Sequence, residues 1–104
     1  MEATSHVYCN VIRARSNTLV AVCDAELLGR GFRDKESGVI IEVKESFYKG
    51  RKVKLEESIN LMRSASIINM VGAKVVEKAV ECGIVDPVAV LVIGGVPHAQ
   101  VVKM

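Results

Sequence analysis

Two short stretches carry residue types able to do covalent or acid–base chemistry. One is Cys23-Asp24. The other is Gly94-Gly95-Val96-Pro97-His98-Ala99-Gln100. A glycine pair lets backbone N–H groups approach a ligand closely, and Pro97 fixes the approach of His98. A histidine, with its ordinary pKa near 6.5, serves as acid, base or metal ligand. Cys23 stands where a strand meets a helical turn, a position that lowers a thiol pKa through the helix N-terminus. Brought together, Cys23 and His98 would form a thiolate–imidazolium pair. The structural alternative is equally concrete. Gly94-Gly95 is then a hairpin turn, His98 an edge-strand side chain, and Cys23 a small buried hydrophobe. The glycine spacing matches neither a Walker loop nor a dinucleotide loop. Cys9, Cys23, Cys82, His6 and His98 have no finger-like or ribbon-like spacing, so neither metal nor cofactor is expected. Glu56-Glu57 opens a helix, where acidic residues complement the dipole, and needs no catalytic role.

A second chemistry is electrostatic. Between Lys44 and Lys54 stand five cations, Lys44, Lys49, Arg51, Lys52 and Lys54, and half of the chain's four aromatic residues, Phe47 and Tyr48. Cations neutralise phosphates and exposed rings stack bases, so Phe47, Tyr48, Lys49, Arg51, Lys52 and Lys54 form a candidate RNA-binding surface. Arg13, Arg15, Arg30 and Arg33 lie on other turns and extend the patch only if the fold brings them there. The alternative is a solvated loop whose rings turn inward to close the core.

The elements that position these residues are legible as patterns. Val7–Ile12 and Thr18–Cys23 read as strands of a hairpin around a polar turn. Asp24 is suited to cap a helical turn through Ala25–Leu28, with Gly29 ending it. Arg30–Gly38 reads as an exposed loop, Val39–Val43 as a third strand and Ser46–Gly50 as a turn. From Lys54 the period changes: Leu55, Ile59, Met62 and Ser66 share one helical face. Ile68, Val71, Val75, Ala79 and Cys82 continue such a stripe on a second helical segment, capped by Ser64 or Ser66 and stopped by Gly83. Gly72 marks a break or a close contact inside it. Val88–Ile93, short and strongly β-branched, reads as a buried central strand, and Ala99–Val102 as the last strand. Strands, then helices, then strands predict an α+β fold: a mainly antiparallel sheet with two or three helices on one side.

With 104 residues, half of them hydrophobic and a quarter charged, the chain suits one small domain over 1–104, with residues 1–5 as a tail. Disorder, collagen-like repeats and a coiled-coil rod have other compositions. The net charge of +2 is only mildly basic, so any nucleic-acid role rests on local clustering. Three scattered cysteines argue for a reducing compartment. Met1–His6 has neither a basic nor an apolar region, and the longest apolar run falls far short of a membrane span of roughly 20 residues. A cytoplasmic protein without membrane contact is the expectation.

Leu19–Gly29, Ser46–Gly50, Asn69–Gly72, Val85–Pro87 and above all Ile93–Val101 resemble an archaeal family of uncharacterised proteins, domain of unknown function 424. The likeness runs from about Val7 to Met104. It implies a small cytoplasmic α+β domain and brings no assigned activity, cofactor or catalytic residue. Three readings follow: a non-catalytic module for RNA or a ribonucleoprotein partner, a small enzyme using Cys23 or His98 near Gly94-Gly95, or a subunit of a larger assembly, self-association included.

Overall fold

The first strand, β1 (His6–Ala14), turns through Arg15 (φ 52°) into β2 (Asn17–Asp24), and the two pair antiparallel from Val7 opposite Asp24 to Ala14 opposite Asn17. This is the expected hairpin. The computed structural model describes residues 5–103, so all but Ser5 of the expected tail lies outside the described residues. After a 3-10 turn at Ala25–Leu27, β3 (Gly31–Arg33) and β4 (Ile40–Glu42) make a separate two-stranded sheet. Then come α1 (Glu45–Tyr48), β5 (Arg51–Lys54), α2 (Leu55–Arg63), β6 (Ile67–Val71), α3 (Ala73–Glu81), β7 (Leu91–Ile93) and β8 (Val96–Val102). The main sheet has the order β5-β1-β2-β6-β8-β7. Among the described residues only β2 and β6 pair in parallel. The architecture is α+β with a mainly antiparallel sheet.

Strand alternation sends side chains to two separate cores. Val7 and Cys9 of β1, Val20 and Val22 of β2, Ile68 and Met70 of β6 and Ala99 of β8 face α2 and α3, where Ile59, Met62, Val75, Val76 and Ala79 meet them. On the other face Ala21, Cys23 and Val71 lie under Leu27, Val43 and Tyr48. The two longer helices therefore share one face, while the single-turn α1 and the small sheet cover part of the other. Each fully buried Val or Met contributes roughly 1.5–3 kcal/mol.

Local chemistry explains the helix ends. In α2, Glu56 and Glu57 lie in the first turn and Arg63 in the last, as the dipole favours. Lys103 Nζ donates to the Met62 and Arg63 carbonyls at 2.9 Å each, closing that end. α3 stops at Gly83 (φ +74°), as expected. Ile84 N–H donates to Ala79 O and Gly83 N–H to Val80 O, the pairing of a Schellman ending.

Several expectations about the elements need correction. The stripe from Ile68 to Cys82 is not one helical segment, because Ile67–Val71 is a central strand and the helix begins only after Gly72. Neither Ser64 nor Ser66 caps it. Ser64 ends α2, and Ser66 Oγ accepts from Thr18 N–H (2.8 Å) and donates to Thr18 O (3.0 Å), locking β6 to β2. Val88–Ile93 is no buried central strand. Pro87 opens a 3-10 turn, and only Leu91–Ile93 pairs, at the sheet's outer edge. The segments expected as loop and turn hold β3 and α1.

Candidate functional site

Lys49, Arg51, Lys52 and Lys54 are all exposed, on and just before β5, which is an edge of the main sheet. The rings beside them in sequence go elsewhere. α1 turns Tyr48 into the second core at 6% exposure, with Phe47 half-buried against it edge-on (centroids 4.9 Å apart). Burial pushes the Tyr48 phenol up to about 12. The segment thus presents charge without a stacking platform, and the inward-turning alternative describes its rings.

Gly50 is what lets this segment lie so close to β1. A Cβ there would stand 2.4 Å from Cys9 O and 2.7 Å from Asn10 Cα, and Asn10 Nδ2 fixes the approach by donating to Phe47 O at 2.9 Å. β5 pairs with β1 only over His6–Cys9, so from Asn10 onward β1 is paired with β2 alone and its other edge is open. A cleft of about 390 Å³ opens at this step, lined by Asn10, Val11 and Arg13 of β1, Gly50, Arg51 and, from α2, Leu61. The fold therefore brings Arg13 to Arg51. Arg30 instead lies over the Phe32 ring (5.2 Å), and Arg33 belongs to β3 beside the Gly94-Gly95 turn. Arg51 Nη2 reaches Glu57 Oε2 at 3.2 Å, with both side chains largely in solvent, so this pair is weak and exchangeable. Among the described residues, Lys49, Lys52 and Lys54 have no acidic partner within 4.0 Å.

Cys23 and Asp24 have a different role. Asp24 does not cap the turn that follows it. Its carboxylate, 2% exposed, reaches across to α3 and accepts from Lys74 N–H (2.9 Å) and Val75 N–H (3.0 Å). Burial raises its pKa, while those two backbone bonds hold it down. Gly72, at φ +121°, lies directly against that carboxylate, with Asp24 Cγ only 2.3 Å from where a Cβ would be. Cys23 is fully buried, and burial together with the neighbouring Asp24 pushes its thiol up to about 12. Cys9, buried beside the cleft, is pushed up to about 11 by burial, against the pull of Arg51. Both are protonated thiols at neutral pH. Native protein treated with iodoacetamide at about pH 8 should therefore be alkylated at half-buried Cys82 before Cys9 or Cys23. Peptide mass mapping that finds Cys23 labelled first would contradict this placement.

His98 shares the α1 side of the sheet with Cys23, but the register sets Cys23 opposite Val71 and Val71 opposite His98. Two strand spacings separate them, about 10 Å between Cα atoms, with the valine between. No thiolate–imidazolium pair forms. His98 is half-buried, its Nδ1 is buried without a hydrogen-bond partner among the described residues, and burial lowers its pKa. Gly94 (φ +58°) and Gly95 (φ +80°) are the tight turn of the β7–β8 hairpin. A Cβ on Gly94 would stand 2.9 Å from Arg33 O, so this glycine also admits the small sheet. Pro97 accepts from Gly72 N–H through its carbonyl (2.9 Å), and Gln100 is exposed opposite Asn69. The block distinctive in sequence is thus a turn and a strand that brace α3 and β3.

Among the described residues no group of His, Cys, Asp and Glu converges to hold a metal ion, and no helix is long and apolar enough to cross a membrane. No curated protein matches the chain. An uncharacterized conserved protein from Methanopyrus kandleri has a similar crystal structure, with a TM-score of 0.78 and 24% sequence identity over 96% of this chain and 95% of that one. That likeness establishes the fold. The family model described as "Protein of unknown function (DUF424)" matches residues 12–104, nearly the whole length, and the chain belongs to the DUF424 family.

Proposed function

We propose that the protein is a non-catalytic binding module for RNA, free or within a ribonucleoprotein, gripping the phosphate backbone along the β1–β5 edge. The observation that carries this reading is the step between the two strands, where Arg13 joins Arg51 at one cleft on the α2 side of the sheet, while Lys52 and Lys54, exposed on the same edge strand, point to its other side. Guanidinium groups suit phosphate oxygens because their N–H donors match them in pairs. Arg51 exchanges an exposed carboxylate for the ligand at small cost. With Phe47 and Tyr48 turned inward, binding draws on charge and is tolerant of base sequence. The buried Cys23 thiol and its separation from His98 leave the enzyme reading without a reactive pair. A cytoplasmic setting accords with such a ligand.

Anisotropy of a labelled single-stranded RNA, titrated at several salt concentrations, tests the proposal. The logarithm of affinity should fall linearly with the logarithm of salt, by roughly 0.7 for each phosphate neutralised. The double variant Arg51→Ala, Lys52→Ala should bind more weakly and lose about 1.4 from that slope. Binding that ignores salt, or a double variant that binds like the parent, overturns the reading.

A further inference from the structure

The two edges of the main sheet are chemically opposite. β5 carries Arg51, Lys52 and Lys54, and such charges keep an edge from pairing with another copy. β7, at the far edge, has no such protection. From Pro87 through Val102 the chain has no Asp, Glu, Lys or Arg, and here the exposed large side chains are Val88 (91%), Leu91 (58%), Val92 (61%) and Val102 (56%).

Register shows what the β7 edge offers. Gly94-Gly95 is a two-residue hairpin loop between Ile93 and Val96, which are paired, so Ile93–Val96 is the closing hydrogen-bonded pair. Alternation makes Val92–Pro97 a non-bonded pair. The backbone N–H and C=O of Val92 therefore point outward from the sheet. Pro97 agrees with this phase: its carbonyl faces away from β7 and accepts from Gly72.

We infer that β7 is a self-pairing edge through which two copies of this chain join antiparallel across a two-fold axis at Val92. Val92 of each copy exchanges both backbone hydrogen bonds with Val92 of the other, and Leu91 of each lies opposite Ile93 of the other. An isologous contact sets this edge against a copy of itself, which a charged edge forbids and this neutral, apolar one permits. A strand rich in charge would find no counter-charge on β7, and a polyanion would find nothing to hold. With only three residues of strand on each side, the contact is small, and Kd should lie at roughly 10 µM to 1 mM.

Sedimentation equilibrium over about 1 µM to 1 mM tests this pairing on the full chain. The weight-average mass should climb from the 11.3 kDa of one chain toward twice that value. Val92→Pro removes only an outward N–H, so the hairpin keeps its own bonds, and Val92→Lys sets two cations together at the axis. Both variants should remain monomeric at concentrations where the parent has dimerised, with unchanged circular dichroism. A parent that stays monomeric throughout, or variants that associate like the parent, overturns the inference.

Discussion

Replacing Gly72 by alanine should destabilise the protein by about 4 kcal/mol or more, a large share of the roughly 5–15 kcal/mol that holds a domain of this size together. Two independent terms contribute. At φ +121° and ψ 147° the backbone lies where essentially only glycine is found, and an L side chain there costs roughly 1–3 kcal/mol. The added methyl would also stand within 2.3–2.7 Å of all three carboxylate atoms of Asp24. That carboxylate is buried and committed to α3, so it yields only by giving up its bonds to Lys74 and Val75. Gly83→Ala separates the two terms. Gly83 is also left-handed, at φ +74°, but a Cβ there meets nothing within 4 Å, so about 1–2 kcal/mol is expected. Urea denaturation of the two variants measures the difference directly. Equal losses would mean that contact with Asp24 plays no part in fixing the glycine.

The same pair explains why part of the fold was hidden in the sequence. The β1–β2 hairpin, α2 and the Gly83 stop are local: alternation, helical spacing and a left-handed glycine each act within a few residues. The border between β6 and α3 is not. Ile68, Val71 and Val75 fall at helical intervals by coincidence, and what divides strand from helix is Gly72 meeting a carboxylate 50 residues before Lys74. Asp24 was legible as a helix cap, but its helix is a distant one rather than the turn that follows it. Val88–Ile93 misled for another reason. An uncharged β-branched run usually means burial, and here it lies on a sheet edge with Leu91 and Val92 more than half exposed.

The candidate surface was legible in its charges and not in its rings. A loop and an edge strand alike keep their cations in solvent, so Lys49, Arg51, Lys52 and Lys54 are exposed although strand β5 itself was not legible. Phe47 and Tyr48 lie only a few residues away, but one turn of α1 is enough to point them inward. Arg13 joins Arg51 because β1 outruns β5. Alternation from Val7 and Cys9 does put Arg13 on the same face, but where β5 ends depends on Gly50 crossing β1.

Asp24→Ala should cost about 3 kcal/mol, although it removes only a few atoms. Caps of this kind are typically worth 0.5–2 kcal/mol when exposed. Here the site is closed to solvent, so Lys74 and Val75 N–H groups would lose their acceptor with little water to replace it, which adds roughly 1–3 kcal/mol. The sign of the pH dependence follows from burial. The folded carboxyl has a pKa above its ordinary value of 3.8, so the fold holds this proton more tightly than the unfolded chain does. The stability gap between parent and variant should therefore be largest below that ordinary value and shrink as pH rises through the folded-state value. Combining Asp24→Ala with Gly72→Ala tests whether the two residues act as a unit. Without the carboxylate the new methyl has room, and only backbone strain remains. The double variant should be more stable than the sum of the single losses implies, by roughly 1–3 kcal/mol. Losses that add to within about 0.5 kcal/mol would show that Gly72 is fixed by its backbone conformation alone.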